Sequence, residues 1–119
     1  MNFDEFQEKN KKRCELIFHK IRYSTKKPSE PYFIEDWALA ICGEAGELAN
    51  LTKKIRRGSI LLDSEVDGIS TRKRLAYELA DIITYCDLMM TALGHNTGKI
   101  VNEKFNIVSQ REMYREKLK

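Results

Sequence analysis

Residues 32–56 read YFIEDWALAICGEAGELANLTKKIR. Trp37, Ile41, Leu48, Leu51 and Ile55 recur at the three- and four-residue spacing of a single helix face, so the stretch predicts an amphipathic helix. Two features disturb that face. Winding the helix at ~100° per residue puts Glu44 inside the apolar stripe, between Ile41 and Leu48, and Glu47 one turn on at its edge. Gly43 and Gly46 flank Glu44, although a helical glycine costs ~1 kcal/mol relative to alanine. The glycines make sense where another helix or a ligand must approach the backbone closely.

Working outward, residues 72–93 show the same periodicity through Leu75, Leu79, Ile82, Cys86, Met89 and Leu93. Here a second acid pair, Glu78 and Asp81, interrupts an apolar surface whose wet side is marked only by Tyr77, Thr84, Asp87 and Thr91. A weaker stripe runs through Phe3, Phe6, Ile17 and Ile21 in a first segment (about 3–25), and a fourth segment (about 98–117) uses Val101, Phe105 and Val108. Pro28 and Pro31, the turn-rich stretch 56–71 and GHNTG at 94–98 separate the four segments. Pro31 suits a first helical turn, Ser70 or Thr71 can cap the third helix, and Gly94 can end it. The fold class is therefore all-α.

At 119 residues the chain has the size of one domain, spanning 1–119. With 33% charged and 42% hydrophobic residues it is globular rather than disordered. Basic residues bunch at Lys11–Arg13, Lys53–Arg57 and Arg72–Arg74, but a net charge of +3 and the lack of a recognition motif argue against nucleic acid. Cys14, Cys42 and Cys86 lack metal-type spacing; Cys42 and Cys86 read as small core residues, and a reducing cytoplasm is the simplest compartment. The N-terminal stretch has no apolar signal region and no run is long enough to span a membrane.

The two acid pairs need compensation. Like charges at i, i+3 repel by about 0.2–0.5 kcal/mol even when exposed, and burying an uncompensated carboxylate costs several kcal/mol. Lys53, Lys54, Arg56 and Arg57 begin about two turns beyond the first pair, and Arg72–Arg74 open the third helix, a poor match for four separate acids. A hard divalent cation with oxygen ligands fits better, if the two pairs sit on facing helices. A di-iron carboxylate bundle needs Glu-x-x-His, whereas Glu47 and Asp81 occupy the histidine positions. The ion expected is thus Mg²⁺ or Mn²⁺; the alternative is four ordinary surface acids.

The segments G43-E-A-G-E-L-A-N-L-T-K-K54, E78-L-A-D-I-I-T-Y85 and N102-E-K-F105 with Arg111 resemble the MazG-like, all-α nucleoside triphosphate pyrophosphohydrolases. The likeness spans residues 32–111, and DWALAICGEAGEL is similar to the small single-domain bacterial and phage members and the dCTP pyrophosphatase branch. The resemblance implies a four- to five-helix bundle completed as a homodimer or homotetramer. It also implies Mg²⁺-dependent hydrolysis of a nucleoside triphosphate between the α- and β-phosphates. Carried over by position, Glu44, Glu47, Glu78 and Asp81 are the metal-binding and catalytic acids, and Lys54 and Lys104 match basic positions. Two departures stand out. The segment between Glu47 and Glu78 is long for the family, and Val108 stands where some members have arginine, with Arg111 one turn later on the face of Lys104.

On this reading metal-activated water attacks the α-phosphorus, and Glu47 is the carboxylate best placed to take its proton. Lys54, Lys104 and Arg111 are candidates for the β- and γ-phosphates. Trp37 and Tyr85 are candidates to stack on the base, and His19 to reach the pocket from the first helix. A rival of another class is a non-catalytic helical interaction or regulatory protein that uses the same stripes as a partner interface and needs no metal.

Overall fold

The computed structural model describes the backbone of residues 1–22, 34–113, 116 and 118, and the side chains of the same residues except 17–22. Pro28 and Pro31, and the side chains of Ile17, His19 and Ile21, lie outside the described residues. The described residues are mostly helical: α1 (Phe3–Arg22), α2 (Ile34–Arg56), α3 (Thr71–Ala92) and α4 (Thr97–Arg111). A two-stranded antiparallel hairpin, β1 (Glu65–Val66) and β2 (Ile69–Ser70), stands between α2 and α3. Helix periodicity cannot register so short a ribbon, but SEVDGIS held its signal. Asp67 and Gly68 adopt φ 53° and 79° at the two turn positions, the left-handed conformation that Asp-Gly supplies for a type I′ turn.

The helix ends follow the local chemistry. Ser70 Oγ accepts from the Lys73 amide at 3.1 Å and so caps α3. At the other end Gly94 takes φ 77°, and the His95 amide donates back to the Met90 carbonyl at 2.9 Å. Asn96 caps α4 by accepting from the Lys99 amide at 2.9 Å. No helix among the described residues is long and apolar enough to cross a membrane.

The chain divides into two compact units, residues 1–32 with 87–119 and residues 33–86, the boundary falling within α3. In the first unit α1 is tied to the end of α3 and to α4 by polar side chains. Asn10 donates to Asp87 Oδ2 at 2.9 Å, and the Thr97 hydroxyl donates to Asp87 Oδ1. Gln7 donates to Thr91 Oγ1 and to the His95 carbonyl, and accepts from the Thr97 amide. Asp87 is 1% exposed. The expectation that Asp87 and Thr91 mark a wet face is therefore corrected: Asp87 is buried and Thr91 half-buried. A polar group enters a core when its partners enter with it, which a hydropathy stripe does not register. Conversely Phe3, Val101 and Phe105, expected on apolar stripes, are each more than 40% exposed.

In the second unit α2 and α3 run antiparallel. Trp37 packs on Tyr85 with ring centroids 6.2 Å apart, and Glu44 meets Glu78, so seven residues forward in α2 match seven back in α3. A further seven reaches Leu51 and Thr71, both buried. Thr71 is held by Ser64, whose carbonyl accepts its amide at 2.9 Å and whose hydroxyl bonds its own. Trp37 and Leu51 are the buried apolar residues of α2, while Leu39, Leu79 and Ile83 are about half or more exposed. Leu79 thus departs from the expected core stripe, and Cys42 is exposed rather than core.

Candidate metal centre

The half-buried and buried residues of α2 recur through Trp37, Ile41, Glu44, Leu48, Leu51 and Ile55, and those of α3 through Thr71, Arg74, Leu75, Glu78, Ile82 and Tyr85. Glu44 and Glu78 therefore stand on the facing stripes. Glu47 and Asp81 lie beside them and are exposed, a partial correction to the picture of four acids within an apolar face. The reason is angular: a residue three positions on is rotated ~60° from its partner, enough to leave a narrow stripe.

One carboxylate oxygen each from Glu44, Glu47 and Glu78 can be chosen so that all lie within 4.8 Å of one another. Glu44 Oε2 and Glu78 Oε2 are buried without a hydrogen-bond partner. Among the described residues none of the four acids has an ion pair with lysine, arginine or histidine. Burial pushes the Glu44 carboxyl above its usual range, and the neighbouring charges of Glu47, Asp81 and Glu78, with a hydrogen bond to Glu47, push the same way. Asp81 contributes to this field without belonging to the tight trio.

Such an arrangement could hold a divalent cation. Orphaned buried oxygens are expensive, and an all-oxygen donor set is the chemistry that Mg²⁺ and Mn²⁺ select.

The other expected site residues are distributed as follows. Trp37 is 2% exposed and so almost wholly covered, while Tyr85 is half-buried. Lys54 is exposed near the end of α2, on the far side of the acids from the aromatic pair. Lys104 and Arg111 are exposed on α4, in the first unit, and Arg111 lies 4.0 Å from Glu112. Gly43 and Gly46 have open space where a side chain would begin, so among the described residues nothing makes the close approach their presence suggested.

Arg74, set aside with Arg72 and Lys73 as a poor match for the acids, is placed differently from those two neighbours. It sits one turn before Glu78 on the same stripe, and it is the only lysine or arginine among the described residues that is not exposed. The i, i+4 spacing of Arg74 and Glu78 was the available signal. No family model matches the chain, and neither a curated protein nor a solved structure matches it.

Proposed function

We propose that the chain is a Mg²⁺-dependent nucleoside triphosphate pyrophosphohydrolase, converting a (d)NTP to the monophosphate and pyrophosphate. The observation that carries this reading is the pair of buried, unbonded oxygens on Glu44 and Glu78 within an acid cluster that no cationic side chain neutralises. The sequence resemblance to the MazG-like enzymes supports the same reading. So does the order of chemistry along the α2–α3 pair: aromatic rings, then acids about 10 Å on, then the basic end carrying Lys54.

Glu44, Glu47 and Glu78, with Asp81 beside them, would hold the ion. Bound magnesium would supply positive charge against the phosphate oxygens and acidify a water. Glu47, the exposed member of the trio, takes the proton as water oxygen bonds to the α-phosphorus. The α–β bridging P–O bond breaks, and its electron pair leaves with pyrophosphate. Tyr85 offers its ring to the base with Trp37 packed behind it, so Trp37 acts by backing Tyr85. Lys54 serves the phosphate tail; Lys104 and Arg111 enter this scheme through the resemblance alone, and His19 through its place on the first helix.

The protein acts in the cytoplasm as a homodimer or homotetramer, and the exposed Leu39, Leu79 and Ile83, with the open backbone at Gly43 and Gly46, support self-association. A non-catalytic interaction protein would use the same apolar residues and need no ion. Purified protein given Mg²⁺ and a panel of (d)NTPs is expected to release pyrophosphate and no orthophosphate, and EDTA to stop it. Absence of pyrophosphate from every nucleotide would leave the interaction-protein reading standing.

A further inference from the structure

We infer that Arg74 is a specificity-determining residue that reads the length of the phosphate tail, favouring triphosphates over diphosphates. The inference rests on the nucleotide reading above and adds a residue to that site. Arg74 shares the inward stripe of α3 with Glu78 and Tyr85, four residues before the first and eleven before the second. It therefore stands about 6 Å along the axis from the acids, on the side opposite the aromatic pair. A nucleotide laid with its base at Tyr85 and its α-phosphate at the acids directs its terminal phosphates to Arg74.

Three observations separate Arg74 from the other cations of that end. Lys53, Lys54, Arg56 and Arg57 are exposed and strongly screened by solvent. Arg72 is engaged by Asp63 at 2.9 Å, and Lys73 lies over the Tyr77 ring, 5.4 Å from its centroid. Arg74 alone is half-buried, and among the described residues it has no ion pair, although Glu78 is only one turn away. A half-buried guanidinium without a carboxylate partner is suited to a phosphate, which it can grip through two parallel N–H···O bonds. Lys54, about two turns beyond Glu47 and exposed, is left to the outer end of the tail.

The test compares binding of non-hydrolysable α,β-methylene nucleoside triphosphate and diphosphate, by calorimetry with Mg²⁺, for wild type, Arg74→Gln and Arg74→Lys. Circular dichroism checks that both variants keep wild-type helicity. Wild type is expected to favour the triphosphate; Arg74→Gln should lose about 10- to 100-fold in triphosphate affinity with the diphosphate affinity unchanged. Arg74→Lys, which keeps the charge and loses the fork, should fall between. In turnover the Arg74→Gln loss should appear in KM more than in kcat. Equal losses for both analogues, or none, would overturn the role of Arg74 and leave the nucleotide reading intact. Wild type binding neither analogue would overturn both.

Discussion

Glu44 is the residue on which the proposed chemistry turns. Its carboxyl is held above the ordinary value of 4.5, first by burial and then by three neighbouring acids. An acid with a raised folded pKa makes folding more favourable as pH falls, because the folded chain holds a proton that the unfolded chain has released. Metal-free protein should therefore lose stability as pH rises from 4.5 through the raised folded value. Glu44→Gln, neutral throughout, should melt higher than wild type at pH 7 and show no such advantage at pH 4. Differential scanning calorimetry in EDTA checks both, with a shift of ~4–8 °C for each 1 kcal/mol in a domain near this size. Glu78→Gln should depress turnover by at least the ~10–100-fold that loss of an outer-sphere metal partner brings. Glu44, Glu47 and Glu78 were legible as a converging set because i, i+3 spacing on two facing helices is a one-dimensional signal. Arg74 was legible only in its spacing from Glu78, because its burial depends on which face α3 turns to α2.

Helices and their ends were the most readable elements. Gly94, and Ser70 as one of two candidates with Thr71, were identifiable from residue type, since a hydroxyl before a helix and a glycine after it answer needs of the local backbone. Ser70→Ala should lower unfolding free energy by ~1 kcal/mol in urea titration. Contacts that join elements were less readable. Asp87 looked solvent-facing because periodicity treats every carboxylate as wet, yet Asn10 of α1 and Thr97 of α4 satisfy it in the interior. Asp87→Ala strands those two donors at ~1–3 kcal/mol each, so a destabilisation on the order of 3 kcal/mol is expected in the same assay. A value near zero would mean that the donors find other partners.

For the whole molecule the apolar residues of α2 and α3 pose a further question. The sequence assigned Leu79 to the core, and a single chain leaves it half exposed with Leu39 and Ile83. A periodicity reading cannot distinguish a stripe that packs within the chain from one that another copy covers. The open backbone at Gly43 and Gly46 separates these cases. In a monomer Gly43→Ala and Gly46→Ala should each stabilise the helix by ~1 kcal/mol. In an assembly that packs on those glycines they should weaken association, read as a shift toward monomer in sedimentation equilibrium. The expected result is the second, with wild-type Tm rising with protein concentration.

The central claim is that the acid cluster holds a divalent cation, and Mn²⁺ titration followed by the electron paramagnetic resonance of the free ion tests it most directly. Wild type with a non-hydrolysable nucleotide should remove Mn²⁺ from solution, and the Glu44→Gln, Glu78→Gln double variant should not. Equal Mn²⁺ uptake by the two proteins, or none by wild type, would contradict the assignment.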